Sequence, residues 1–387
     1  MSDVLERIVG AHLRSLDPYI PGRPAEDVAR EHGLTDVIKL ASNENPLGPA
    51  PRALAAANAA LREVHRYPDG AAQALRAGLA ARLGVGPERV LLGNGSNELI
   101  TLLARLVLSP GDEAVVAEGA FAIYRLAIQG AGALARVVPM QSYTHDLDAM
   151  QAAIGPKTRM VFVGNPNNPT GTIYRRAEWE RFVSRVPEDV VLLCDDAYAE
   201  YVEDREYPDT LREPDRHPLL VVLRTFSKIY GLAGLRIGYG IGPAALVDLI
   251  DRLRDPFNVN HVAQAAALGA LEDAGHVARS QEVNRAGRAF LERTCRALGL
   301  AFVPSHANFL MVDVGDGREV AKALERVGVI VRPVGGYGFP RHVRVSVGLP
   351  AENTRFAQAL AALSGTSGGT AAALQQEPLG GVDGGAR

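Results

Sequence analysis

The sequence predicts an α/β protein, with a large domain built on a mostly parallel sheet flanked by helices and a smaller α+β domain beside it. Three observations predict this. Short apolar runs alternate with helical stretches between about residues 90 and 223. The chain turns mainly helical after about residue 245, and short strands return between 300 and 350. At 387 residues it is also too long for one ordinary core. The expected divisions are an N-terminal arm over 1–47, a large domain over 48–275, a small domain over 276–363 and a disordered tail over 364–387.

The arm is expected to hold one helix and to end in the loop Asn43-Glu-Asn-Pro-Leu-Gly-Pro49. Pro51 to Val64 is Ala-rich and helical, Arg66-Tyr-Pro-Asp-Gly70 is a turn, and Ala71 to Leu83 is a helix stopped by Gly84. Val90-Leu-Leu92 then reads as a strand, Asn97 to Leu108 as a helix, Glu113 to Val116 as a strand and Ala122 to Gln129 as a helix. Ala135 to Val138, Met160 to Val163 and Val190 to Cys194 read as strands, with Trp179 to Arg185 helical between the last two. Pro218-Leu-Leu-Val-Val-Leu223 is short, β-branched and bounded by Pro, which marks a buried strand. Strands separated by helices need right-handed crossovers, hence parallel pairing. Gly238-Tyr-Gly-Ile-Gly242 reads as a twisted strand and turn with no cofactor role. In the small domain, Phe309 to Val312, Val329 to Val331 and His342 to Val347 are the expected strands, with the arm completing the unit. From Ser364 the tail reads as rich in Gly, Ala and Gln with almost no apolar content, a disordered composition.

Bulk properties exclude several classes. A formal charge of −3 with no Lys/Arg block argues against nucleic acid as a partner. No apolar run is long enough to span a bilayer, so no membrane partner is expected. The mixed-charge N-terminus lacks a signal-peptide core. Cys194 and Cys295 form neither a disulfide framework nor a metal motif, and the nine histidines are scattered. The expected compartment is the cytoplasm, and no structural metal is expected.

The chemistry concentrates after the strand that ends at Leu223. Thr225-Phe-Ser-Lys-Ile-Tyr-Gly-Leu-Ala-Gly-Leu-Arg236 sets two hydroxyls, Thr225 and Ser227, just before Lys228, then small residues, then Arg236. Hydroxyls and an arginine can hold a phosphate, and a lysine can condense with an aldehyde. Phosphate and aldehyde on one small molecule describe pyridoxal phosphate (PLP), an electron sink for amino-acid chemistry. Only four of the 41 basic residues are lysine, and arginine cannot form an imine. The same pattern also fits an exposed lysine on a strand-to-helix loop.

Three other strand ends carry candidates. Gly93-Asn-Gly-Ser-Asn-Glu98 offers backbone N–H groups and a helix N-terminus to an anion, or is simply a helix start capped by Ser96 or Asn97. Its glycines do not complete a dinucleotide fingerprint, which disfavours a nucleotide-binding oxidoreductase. Asn165-Pro-Asn-Asn-Pro-Thr-Gly171 pins a loop at the carboxyl edge of a parallel sheet, where ligands bind. In Cys194-Asp-Asp-Ala-Tyr198, Asp195 would partner a protonated pyridine nitrogen and Tyr198 would reach a ring hydroxyl, while Asp196 suits a helix cap.

These four segments, in this order, resemble fold-type I PLP-dependent aminotransferases to about residue 360. Asn-Pro-Asn-Asn-Pro-Thr-Gly at 165–171 and Ser-Lys-x-x-x-Leu-Ala-Gly-Leu-Arg at 227–236 are the most specific pieces. Within that class, Ala41-Ser-Asn-Glu-Asn-Pro46, Arg66-Tyr-Pro-Asp69 and Ser305-His-Ala-Asn-Phe309 resemble histidinol-phosphate aminotransferases. The resemblance implies that Lys228 bonds PLP as a Schiff base and Asp195 pairs with the pyridine nitrogen. It implies that Asn168 and Tyr198 bond the ring hydroxyl, and that Gly95, Ser96, Asn97, Thr225, Ser227 and Arg236 hold the phosphate. Tyr67 would reach that phosphate from the partner subunit of a homodimer. Phe121 stands where the family often stacks a tyrosine on the ring. Arg344 would bind a substrate carboxylate, Asn43 would line the substrate site, and Arg332 with Tyr19 would meet a substrate phosphate. The implied substrates are histidinol phosphate or an amino acid, with 2-oxoglutarate and glutamate. The alternatives are an aromatic amino-acid aminotransferase, a threonine-phosphate decarboxylase and, in a different class, a non-catalytic PLP-fold regulatory module.

Overall fold

A computed structural model describes residues 3–363, 374–377 and 379. The arm holds α1 (Asp3–Ile8), α2 (Ala11–Arg14), α3 (Ala25–His32) and β1 (Ile38–Lys39). Helices α4 (Pro51–Ala60) and α5 (Gln73–Leu83) lead into β2 (Val90–Gly93) and α6 (Ser96–Val107). The alternating region runs through β3 (Glu113–Ala117), α7 (Ala122–Gly130), β4 (Leu134–Val138), α8 (Leu147–Ala152), β5 (Thr158–Gly164), α9 (Arg176–Val183) and β6 (Val191–Asp195). It closes with β7 (Leu220–Thr225) and β8 (Gly238–Ile241). Next come α10 (Ala244–Leu253), α11 (His261–Leu271), the 24-residue α12 (Ala274–Ala297), β9 (Phe302–Val303) and β10 (Phe309–Asp313). The chain then passes through α13 (Gly317–Glu325), β11 (Val329–Ile330), β12 (Arg332–Pro333), β13 (His342–Ser346) and α14 (Pro350–Leu363).

The large sheet has seven strands in the order β2-β8-β7-β6-β5-β3-β4. Every pair from β7 through β4 is parallel, and only β8 runs against its neighbours. Strands β2, β3, β6 and β7 are buried throughout, as expected when helices cover both faces of a parallel sheet. Because β5, β6 and β7 point the same way, their carboxyl ends share one edge. Asn165 follows the first, Asp195 ends the second and Thr225 ends the third. The Gly-rich strand β8 fits between β2 and β7 because its glycines allow close approach. A Cβ on Gly240 would come within 2.7 Å of Leu223 and 3.0 Å of the Val222 carbonyl.

A second sheet, β12-β13-β10-β9, is antiparallel and packs its own apolar core of Leu310, Val312, Val343 and Val345 against Phe290, Leu291 and Phe356. The arm joins this half of the molecule. Its strand β1 pairs in parallel with β11, and Leu40 enters the second core.

Several local expectations need correction. The arm holds three helices and a strand, not one helix. Helix α2 buries no side chain and α3 only Val28, so neither displays an apolar stripe. Val329 to Val331 is not one strand: β11 pairs with the arm while β12 pairs with β13, and the chain changes partner at Val331. Helix α8 and the two-residue β9 were too short to show a period. The expected disordered tail lies mostly outside the described residues, but the part that is described docks. Leu374 is buried in the second core, Gln376 accepts from Asn353 Nδ2 at 2.8 Å, and its N–H donates to Thr354 Oγ1 at 3.1 Å. A single docked leucine in such a segment escapes a composition argument.

Leu374→Ala should therefore lower stability by about 2 kcal/mol, the low end for a buried leucine lost from a core. Chemical denaturation followed by circular dichroism reads the change. A midpoint equal to that of the parent would show that the segment adds nothing to the core.

Candidate active site

One cleft sits at the carboxyl edge of β5, β6 and β7, and residues of the arm and of β12 and β13 close it from the other side. Fourteen of the sixteen residues singled out in the sequence line it: Tyr19, Asn43, Ser96, Asn97, Phe121, Asn168, Asp195, Tyr198, Thr225, Ser227, Lys228, Arg236, Arg332 and Arg344. Gly95 lies immediately behind the wall. Tyr67 does not line it: the ring is 83% exposed and stacks on Phe257 at 4.8 Å.

At one end the cleft is built for an anion. Helix α6 begins at Ser96, and its N-cap residue is Gly95, with no side-chain cap. The capping role expected for Ser96 or Asn97 is thus absent, which leaves N–H groups of the first turn and the positive helix end for a ligand. Gly95 has φ +78°, and a Cβ there would come within 2.5 Å of Arg236 Nη2. Only glycine lets the turn lie against the guanidinium. Arg236 itself takes a left-handed backbone conformation, φ 56°, and donates to the Ala233 carbonyl at 3.0 Å and to Ser227 Oγ at 3.4 Å. Left-handed backbone at a non-glycine residue is held where the surroundings over-determine it. Thr225 Oγ1 accepts from the Ser227 N–H at 3.0 Å, so the two hydroxyls are fixed relative to each other.

Lys228 occupies the centre. Its Nζ donates to the Ser42 carbonyl at 3.1 Å and lies 5.6 Å from the centroid of the Tyr198 ring. Burial, reinforced by the Arg344 guanidinium, pulls its pKa from 10.5 down to about 8. The Tyr198 hydroxyl accepts from Asn43 Nδ2 at 2.9 Å.

Asp195 faces the cleft and Asp196, next along the chain, is tied up behind it. Burial pushes the Asp195 pKa up, opposed by the hydroxyl of Tyr124, the Ala197 N–H and the charge of Lys228. One oxygen, Oδ2, accepts from Tyr124 at 2.8 Å; the other, Oδ1, is buried without a hydrogen-bond partner among the described residues. Asp196 is fully buried, accepts from Thr210 and lies 3.8 Å from Arg224, which also pairs with Glu200 at 3.2 Å. Burial raises its pKa to about 7. The helix-cap role considered for Asp196 is therefore replaced by a buried ion-pair network that supports the strand end.

At the far end are two guanidiniums. Arg344 donates to Asn168 Oδ1 and to the Ala41 carbonyl, the latter at 2.7 Å, and lies over Phe309 at 5.2 Å. Its Nε is buried and unpartnered among the described residues. Arg332 donates to the Ile20 carbonyl at 2.7 Å and lies over the Tyr19 ring at 5.5 Å.

The sequence reading missed Tyr124 and His145. Tyr124 stands three residues after Phe121, one helical turn along α7, and that spacing was the available signal. His145 bonds Asn167 Oδ1 through Nε2 at 3.1 Å inside the Asn-Pro-Asn-Asn-Pro loop. Burial drops its pKa to about 4, so it holds the loop as a neutral ring. No sequence pattern linked those two segments.

These residues fit PLP. The orphaned Asp195 Oδ1 needs a donor that enters the cleft, as a protonated pyridine nitrogen would. The Gly95–Arg236 cradle suits a phosphate, and an amine of lowered pKa suits an aldehyde. A family profile described as aminotransferase class I and II matches residues 35–360. The chain belongs to that family. It is a PLP-dependent aminotransferase of the type I fold. Histidinol-phosphate aminotransferase 2 of Pseudomonas aeruginosa is 51% identical over 363 residues, covering 93% of this chain and 98% of the relative. Histidinol-phosphate aminotransferase 1 of Cupriavidus pinatubonensis is 52% identical over 355 residues, covering 90% and 94%. The crystal structure of the Sinorhizobium meliloti histidinol-phosphate aminotransferase in complex with pyridoxal-5'-phosphate matches with a TM-score of 0.85 at 29% identity. That match covers 93% of this chain and 98% of that one.

Proposed function

We propose that this aminotransferase acts on histidinol phosphate with 2-oxoglutarate, in histidine biosynthesis. The observation that carries this reading is the pair of guanidiniums at the far end of the cleft, Arg344 and Arg332, the latter beside Tyr19. An arginine fork accepts a carboxylate and a phosphate alike. One pocket can then take histidinol phosphate, which has a phosphate and no carboxylate, and glutamate, which has two carboxylates. The names of the relatives point the same way.

Bound PLP supplies the electron sink that lets the substrate α-proton leave. The residues present divide the remaining work. The Lys228 amine holds the cofactor and, once released, carries the proton to and from the substrate α-carbon. Asp195 would partner the ring nitrogen through Oδ1, which is unpartnered among the described residues. Asn168 and Tyr198 would hold the ring hydroxyl, and Phe121 would stack on the ring. Gly95, Ser96, Asn97, Thr225, Ser227 and Arg236 would grip the phosphate. Arg344 takes a substrate carboxylate, and Asn43 fixes the Tyr198 hydroxyl at the substrate side.

The enzyme is also proposed to be a cytoplasmic homodimer with shared sites. Tyr67 supports the dimer, since it is exposed and does not line the cleft described above. No helix among the described residues is long and apolar enough to cross a membrane.

Substrate choice is tested by Arg332→Ala. Loss of a charge-assisted contact to a dianion should lower kcat/KM for histidinol phosphate by about 2–3 kcal/mol, some 30- to 150-fold. Phenylalanine as donor should be affected much less, and glutamate should fall between. Equal losses for all three would mean general damage. A parent enzyme that prefers phenylalanine would replace this reading with an aromatic aminotransferase.

The shared site is tested by mixing impaired subunits. Tyr67→Phe and Lys228→Ala chains, refolded together, should recover activity, because one hybrid site receives both parental residues. Sedimentation of a fully active monomer would refute the arrangement.

A further inference from the structure

Asp195 is held by a second residue of the cleft wall, Tyr124, which bonds the oxygen other than the unpartnered one. Tyr124 lies on α7, its side chain is 2% exposed, and its hydroxyl donates to Asp195 Oδ2 at 2.8 Å. The ring is fixed on two sides, stacked on Phe162 at 5.2 Å and met edge-on by Phe121 at 5.8 Å. The space for the hydroxyl is made by Gly164, the residue that pairs with Asp195 across β5 and β6. A Cβ on Gly164 would lie 3.1 Å from the Tyr124 oxygen. Oδ1 is left buried and unpartnered among the described residues. The two carboxylate oxygens are thus made inequivalent before any ligand arrives.

We propose that Tyr124 is a positioning residue for the transamination: by bonding Oδ2 it presents Oδ1 to the cofactor ring nitrogen and keeps the shared proton on that nitrogen. The inference rests on Asp195 being the partner of the ring nitrogen. A carboxylate that accepts a second hydrogen bond is a weaker base, so the proton between Oδ1 and the nitrogen sits on the nitrogen. Remove the donor, and Oδ2 is left buried without a partner. The carboxylate then takes the proton, and the ring nitrogen becomes neutral. Only that proton moves, and no other bond is made or broken. The hydroxyl serves as a donor throughout the working range, because burial and then the Asp195 charge push its own pKa well up. The other titratable groups around this carboxylate are Lys228 across the cleft, Asp196 and Cys194 on its own strand end, and Tyr198. Lys228 alone among them can offer a cation, and its amine is engaged by the Ser42 carbonyl.

The test loads the full-length enzyme with PLP carrying an isotope-labelled ring nitrogen and reads its nuclear magnetic resonance shift, together with PLP affinity by fluorescence titration. In the parent the signal should be that of a protonated ring. In Tyr124→Phe it should move toward the neutral-pyridine position, and PLP affinity should fall on the order of tenfold. Gly164→Ala, which keeps the tyrosine but crowds its hydroxyl, should move the signal the same way by less. In the Asp195→Asn background, Tyr124→Phe should add no further shift. A signal that moves in Asp195→Asn but stays at the parent position in both Tyr124→Phe and Gly164→Ala overturns the role of Tyr124. A signal that does not move in Asp195→Asn overturns the Asp195 assignment on which it rests.

Discussion

Desolvation of charge is the constraint on which this site depends. The same closed cleft raises the pKa of Asp195 and lowers that of Lys228, because burial penalises both charged forms. The opposite directions are what the chemistry needs. An acid that stays ionised only with help will bind a cationic ring nitrogen firmly, and an amine that sheds its proton easily is a nucleophile. The arginines reinforce the asymmetry. Arg344 and Arg236 push the lysine toward neutrality, while the phosphate and carboxylates of bound ligands would be drawn to those same guanidiniums.

The fold creates that environment by bringing chain ends to one edge. Three parallel strands deliver Asn165, Asp195 and Thr225 to the same edge, and the loop after the last of them delivers Lys228. A helix N-terminus with a bare glycine cap faces the same space. The second core supplies the opposite wall. Arg344 sits on β13 and Arg332 on β12, paired in register at positions 332 and 344. The arm ties this wall down, through the Arg332 bond to the Ile20 carbonyl and the pairing of β1 with β11. Substrate recognition thus draws on the arm and the second sheet, and cofactor recognition on the large sheet.

Much of this was legible in the sequence because strand ends are punctuated by residues that packing alone would not select. Lys228 after two hydroxyls, the glycines around Asn94 and three asparagines with two prolines are expensive or flexible choices after buried strands. The alternating region of the large sheet was legible for the same reason that it is stable: its central strands are mostly apolar and its longer helices amphipathic. Features carried by tertiary contact were not legible. Asp195 and Asp196 are adjacent acids, and only their distant partners, Tyr124 in one case and Thr210 and Arg224 in the other, separate a ligand-facing carboxylate from a buried ion pair. The break at Val331 and the docking of Leu374 likewise come from partners far away in sequence.

The central claim is that burial makes Lys228 a neutral nucleophile near pH 8, and the direct measurement is the rate at which cofactor-free enzyme captures PLP as a function of pH. Capture is read by absorbance and confirmed by borohydride reduction and peptide mapping of Lys228. The folded-state pKa of about 8 lies below the ordinary 10.5, so the folded protein releases this proton around pH 8, where an ordinary lysine still holds it. The rate should rise about tenfold per pH unit below that point and level off above it. A rate that keeps climbing toward the ordinary lysine value would show that the amine is not desolvated and would contradict the account.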